Sequence, residues 1–211
     1  MTVLDYDKLT SRLASDKFVF QSAQPFPYII IDNFLEEDSA ESLLKEFGQR
    51  PSDGGSWNQY THFNERKSGL TRMNAMGNET RSVINELSSS EFVRWLSNLS
   101  GIEGLIADPD LDGGGLHEIR TGGFLNIHTD FLSHTERPHW RRQLNLLLYL
   151  NKGWRSEWNG DLELWDEGYS FKLNIAGEID KENRSSLTRK EINKISMNKN
   201  VNFCGKIVDM K

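Results

Sequence analysis

The sequence predicts an antiparallel β-barrel or sandwich with helices packed on its outer side. Three observations predict it. From Gly113 onward, short apolar runs alternate with glycines at intervals that suit hairpins better than βαβ units. Ahead of that region, apolar residues recur at helical spacing in three separate stretches. Aromatic residues, which fill such cores, number 22 in the 211-residue chain, and only Phe203 lies beyond Phe171.

The elements follow in order. Phe26-Pro27-Tyr28-Ile29-Ile30-Ile31 is a β-branched strand run that ends at Asp32-Asn33. Ala40, Leu43, Leu44 and Phe47 then mark a helix that Gly48 closes. Residues 51–78, rich in Gly, Ser and Asn, read as a loop with a short strand around 60–63. Val83, Ile84 and Leu87 mark a second helix. Phe92, Trp95, Leu96 and Leu99 lie on one face of a third, preceded by serines able to cap it. Strands are expected at 116–120, 124–129, 143–150 and 162–165, with residues 151–160, including Trp154 and Trp158, as a turn region.

The net charge of −6 argues against a broad nucleic-acid or anionic-membrane surface. No apolar run approaches the length of a membrane span. The opening MTVLDYDKLT lacks the basic start and apolar stretch of a secretory signal, and Cys204 is the sole cysteine. A cytoplasmic setting is therefore expected, with no intrachain disulfide and no thiolate metal cage. Composition changes near residue 171. Residues 172–211 carry 9 Lys/Arg against 5 Asp/Glu, in an otherwise acidic chain. Residues 1–171 are read as the structured domain, and 172–211 as an atypical polar, basic segment, with a weak helix over 187–197 or a loose tail.

The chemistry centres on Ile127-His128-Thr129-Asp130. In a strand, residues two apart share a face, so His128 and Asp130 point together while Thr129 points away. An imidazole and a carboxylate presented together supply two members of a two-histidine, one-carboxylate set for Fe(II). A lone His-x-Asp is weak evidence by itself, and Gly122-Gly123 before it permits a tight approach. His117 is a candidate supporting partner or an ordinary core histidine, beside Glu118 and Arg120. His134 and His139 lie in the rim loop SHTERPHW, within reach of a metal if that loop folds back. Asn145, Leu147 and Tyr149 share one strand face, which makes Tyr149 a candidate for a ligand carboxylate or a residue packed at the barrel end. Arg141 and Arg142 would pair with a dicarboxylate or with surface acids.

Three blocks resemble one family in order and spacing: PYIIIDNFL; SSEFVRWLSNLSGIEGLIADPDLDGGGLHEIRTGGFLNIHTDF; and RRQLNLLLYLNKGWRSEWNGDLELWD. Over residues 25–168 the chain resembles the iron(II)- and 2-oxoglutarate-dependent oxygenases, in the branch similar to the prolyl 4-hydroxylase catalytic domain. The resemblance implies a double-stranded β-helix (jelly roll) with flanking N-terminal helices, and His128 and Asp130 as the first two iron ligands. It places Tyr149, with Asn145 on the same face, against the 2-oxoglutarate. It implies Fe(II), 2-oxoglutarate and O2, ascorbate as an accessory reductant, and a small-molecule or peptide substrate. The reaction would be hydroxylation of an unactivated C–H bond, in a prolyl or other amino-acid side chain.

The family pattern also requires a second histidine roughly fifty residues after the aspartate, then a basic anchor for the co-substrate. No histidine follows His139. Arg184, Arg189 and Lys190 supply charge with no strand pattern around them, and residues 201–203 and 206–208 are the only candidates for the closing strands. The jelly roll is thus expected to be incomplete at its C-terminal end, through a degenerate paralogue or a replaced or lost native end. Water, His134 or His139 remain candidates for the third metal position. The alternative function is a non-enzymatic binding or interaction module.

Overall fold

The structure, a computed structural model, describes residues 3–24, 26–49, 57–126, 128, 130–152, 155 and 162–165, together with the backbone of 172–174, 194–198 and 205–210. The chain begins with two helices, α1 (Tyr6–Ser11) and α2 (Leu13–Ser22). Asp5 caps α1 by accepting the Lys8 amide at 2.9 Å. Neither helix presents a clean apolar stripe. Phe20 of α2 is buried while the adjacent Phe18 and Val19 face solvent.

β1 (Tyr28–Ile31) and α3 (Glu37–Gly48) follow, matching the β-branched run and the helix expected through Gly48. A hairpin of β2 (Asn58–His62) and β3 (Glu65–Leu70) occupies part of the expected loop. A 3₁₀ turn at Met73–Ala75 leads to α4 (Asn78–Leu87) and α5 (Ser90–Ser100). Ser89 caps α5 as expected, accepting the Phe92 amide at 3.1 Å, and Gly101 ends it in the left-handed conformation. The remaining strands are β4 (Gly115–Ile119), β5 (Phe124–Leu125), β6 (Asn145–Tyr149), β7 (Glu163–Trp165), β8 (Lys172–Asn174), β9 (Lys194–Asn198) and β10 (Gly205–Met210).

The main sheet has eight strands in the order β1-β9-β6-β10-β4-β3-β2, with β5 also on β3, while β7 and β8 form a separate antiparallel pair. Ile29 and Ile31 of β1 join Leu144, Leu146 and Leu148 in one core with Phe20, Leu43, Phe92, Leu96 and Leu99 of the helices. Tyr28 and Ile30, on the other face of β1, pack with Leu164 of β7. At β1 and β6 the sheet is therefore covered on both sides, and Asn145 to Leu148 are all buried instead of alternating in and out.

Three expectations are corrected. Of the strand expected over 124–129, only Phe124–Leu125 is strand among the described residues, because its partner β3 begins at Glu65 and offers no ladder beyond Leu125. Residues 194–198, which overlap the end of the segment expected as a weak helix over 187–197 or a loose tail, form β9, which bridges β1 and β6 antiparallel. Two flanking strands with free edges outweigh a marginal helical pattern. The sheet is also not antiparallel throughout, because β10 runs parallel to both β4 and β6. β9 and β10 thus place parts of the basic segment within the main sheet.

Candidate metal centre

β4 ends at Ile119, and the chain turns through Gly122 with φ +77°. A Cβ on Gly123 would lie 2.7 Å from the Arg66 carbonyl oxygen and 2.8 Å from that of Arg120, so only glycine lets the chain pass there. This turn lays Phe124 and Leu125 against Arg66 and Glu65 of β3. Asn126 continues the contact, its amide donating to the Asn64 carbonyl at 2.8 Å and its side-chain amide to the Phe63 carbonyl at 3.1 Å.

Anchored in this way, the next residues bring two side chains together. His128 Nε2 and Asp130 Oδ1 lie 3.0 Å apart. His128 Nδ1 is 2.7 Å from the Asn126 carbonyl oxygen, which can only accept, so Nδ1 carries the hydrogen. In the neutral ring, Nε2 then presents a lone pair toward a carboxylate oxygen. Two such atoms at that distance need a cation between them, either a proton or a metal ion. The donors fit Fe(II): a borderline imidazole nitrogen and a hard carboxylate oxygen, with the far ring nitrogen steadied by a backbone carbonyl. The His128 side chain is 37% exposed and that of Asp130 12%, so solvent reaches the pair from the imidazole side.

The loop before β4 backs this pair. Asp108 accepts the Asp110 amide at 2.9 Å and the Asp112 amide at 2.7 Å, coiling the DPDLDGGG segment around one carboxylate. Thr135 fastens to Asp112 through its amide (2.7 Å) and hydroxyl (3.1 Å). The strand-like return of Arg142 to Leu132, N–H to carbonyl at 3.0 Å, closes the 131–142 excursion. Arg142 is buried. One of its terminal nitrogens donates to the Asp112 carbonyl, its guanidinium carbon sits 3.5 Å over the Phe131 ring, and Nη1 lies 3.9 Å from Asp130 Oδ2.

His134 belongs to the same clasp. Its Nδ1 accepts the amides of Glu136 (3.0 Å) and Arg137 (3.1 Å), and its Nε2 faces Asp108 Oδ1 at 3.2 Å. Both ring nitrogens are thus engaged away from His128. Asp108, Asp110 and His134 form a second metal-capable group, with ligand atoms within 4.8 Å of one another. Arg137 lies among them, bonded to Asp110 and 3.2 Å from His134 Nε2, and so supplies a positive charge already. His139 is exposed, its ring edge-on to Trp140.

The other candidates are placed as follows. Arg141 is exposed. His117 is buried in β4 beside Gly69, and the Glu118 carboxylate accepts Arg120 Nε at 2.8 Å. Asn145 opens β6 with its side-chain oxygen buried and lacking a hydrogen-bond partner among the described residues, and Tyr149 closes β6 half-buried. Trp154, Trp158, Arg184, Arg189, Lys190 and residues 201–203 lie outside the described residues. No helix among the described residues is long and apolar enough to cross a membrane.

No curated protein matches the chain. A family match is nevertheless found over less than half of it, including the His128–Asp130 pair. Residues 114–200, from the glycine turn before β4 to just past β9, match the model of the 2OG-Fe(II) oxygenase superfamily.

Proposed function

We propose that the protein is an Fe(II)- and 2-oxoglutarate-dependent dioxygenase that hydroxylates an unactivated C–H bond, with the prolyl 4-hydroxylase branch as its nearest functional parallel. The observation that carries this reading is the convergence of His128 Nε2 and Asp130 Oδ1 at 3.0 Å within the matched segment. His128 and Asp130 would hold Fe(II). When bound, the metal and 2-oxoglutarate would supply the activation of O2, with O2 as the oxidant and 2-oxoglutarate giving up two electrons as it becomes succinate and CO2, chemistry that no side chain of the chain can supply.

The chain's own part is positional. The Asn126 carbonyl fixes the His128 ring so that Nε2 faces the metal position. The glycine turn and β5 hold that strand end against β3. Asn145 and Tyr149, both on β6, are the side chains assigned to the co-substrate. Residues 1–171 are read as the unit that carries the metal pair, with 172–211 as an atypical addition to its sheet.

Succinate release from 2-oxoglutarate, with Fe(II) under air, tests the activity, with proline-containing peptides and free amino acids as the substrate panel. Formation by the wild type and its loss in His128→Ala is the expected result. A wild type that consumes no 2-oxoglutarate with any of them contradicts enzymatic competence.

One observation favours a second reading, a non-catalytic module: no histidine follows His139 to complete the ligand set. That reading requires a melting temperature indifferent to Fe(II), Mn(II) and 2-oxoglutarate, since a ligand that binds only the folded state must raise it.

A further inference from the structure

Asp130 divides its two oxygens. Oδ1 lies 3.0 Å from His128 Nε2, and Oδ2 lies 3.9 Å from Arg142 Nη1. The guanidinium of Arg142 is held from two other sides, by its bond to the Asp112 carbonyl and by the Phe131 ring beneath it. Its seat is shaped for it. Gly113 has φ +69°, and a Cβ there would lie 2.7 Å from Arg142 Nη2 and 3.1 Å from the Phe131 ring. The residue is only 8% exposed, and Nη1 makes no hydrogen bond among the described residues. A buried guanidinium needs a nearby negative charge, and Asp130 stands on the side toward which Nη1 is turned.

We infer that Arg142 is a positioning residue for the metal centre: its guanidinium, ion-paired with Oδ2 of Asp130 at 3.9 Å, draws that oxygen away from the metal, so the carboxylate reaches the metal through Oδ1. The inference rests on the metal-binding reading of His128 and Asp130. Without that charge, less keeps Oδ2 from turning to the metal, and the carboxylate can bind it through both oxygens. Bidentate binding would consume a coordination position that a co-substrate or O2 needs. The loop coiled around Asp108 thereby gains a role, since it presents the Asp112 carbonyl that locks the guanidinium. Phe131, 45% exposed, forms the floor on which the guanidinium lies.

Anaerobic Co(II) titration of the full chain tests this, read by affinity and by the visible d–d spectrum, whose intensity falls as coordination number rises. Wild type, Arg142→Gln and Arg142→Lys are compared, with circular dichroism confirming the fold of each. The expected result is a weaker d–d band in Arg142→Gln, because the second carboxylate oxygen raises the coordination number, with Co(II) affinity at least that of the wild type because a donor is gained and a positive charge beside the metal is lost. Arg142→Lys, which keeps the charge and loses the fork, should show a smaller fall in the band. A wild-type spectrum in Arg142→Gln overturns the inference. If Arg142→Gln does not fold, Arg142→Lys decides alone: an unchanged spectrum overturns the inference, and a weaker band supports it. A wild type that binds no Co(II) overturns the metal-binding reading and this inference together, an outcome distinct from a variant that matches a binding wild type.

Discussion

At the scale of single residues, His128 and Asp130 stand two positions apart, and the structure brings their side chains to 3.0 Å. A two-residue period puts both on one side of any extended segment, so this pair was legible from four consecutive letters. Arg142 was not, because its approach to Asp130 depends on the 131–142 excursion returning and on a separate loop at 108–115 being coiled to receive it. No local period encodes either event. The sequence did place Arg141 and Arg142 together as candidates, and only the fold separates the exposed one from the buried one. The tightness of the Arg142 seat can be measured. Gly113→Ala adds a methyl group at positive φ against Arg142 and Phe131, and should cost about 1–3 kcal/mol in urea unfolding. A cost near zero would show that the loop yields freely and that the seat is not built around the missing Cβ.

At the scale of elements, α3 and α4 are joined by one carboxylate. The N-cap of α4 is Gly77, which has no side chain to offer its open amides. Glu46 of α3 supplies the acceptors instead, taking the Glu79 amide at 2.9 Å and the Thr80 amide at 2.9 Å, along with the Thr80 hydroxyl at 2.7 Å. Burial works against ionisation of Glu46, but the bonds from Thr80 and Glu79 and the charge of Arg81 outweigh it. Its carboxyl is therefore held below its ordinary value. The folded state prefers the ionised form, so its stabilisation is complete above the unfolded value of about 4.3 and is lost as pH falls through the lower folded value. Glu46→Gln should lower stability near neutrality by about 1 kcal/mol and flatten the acid-side decline. A variant whose urea midpoint falls with acid as steeply as that of the wild type would refute the linkage.

The helices also show what a pattern needs in order to be read. α5 was legible because Phe92, Trp95, Leu96 and Leu99 form a continuous buried stripe. Truncating its most enclosed ring, Phe92→Ala, should cost about 3–5 kcal/mol in chemical denaturation, and a cost below 1 kcal/mol would remove that stripe from the core. α2 carried no such stripe. It is held by its contacts with α5 and β1 and is flanked by the α1 anchor, where Trp95 Nε1 donates to the Leu9 carbonyl at 3.2 Å.

At the scale of the whole molecule, the sheet runs from β1 beside the helices to the β2–β3 hairpin, and the metal pair follows β5, at the β3 end. Strand positions after Gly113 were largely legible, whereas partners and directions were not, because pairing is decided by distant edges. β10 is the clearest case. It fills the gap between β4 and β6 and runs parallel to both. Removing residues 205–211 would leave the facing edges of β4 and β6 without partners, exposing two rows of backbone groups. Amide exchange in residues 115–119 and 145–149 should then accelerate markedly, with more aggregation. Unchanged protection would mean that β10 does not hold those strands.

The central claim is that His128 and Asp130 together bind a metal that also takes 2-oxoglutarate. The anaerobic visible spectrum of the chain with Fe(II) and 2-oxoglutarate tests it most directly. The account predicts a weak, broad charge-transfer band that needs both additions and disappears in His128→Ala and in Asp130→Ala. A featureless wild-type spectrum at saturating concentrations, or a band of equal strength in the two variants, would contradict it.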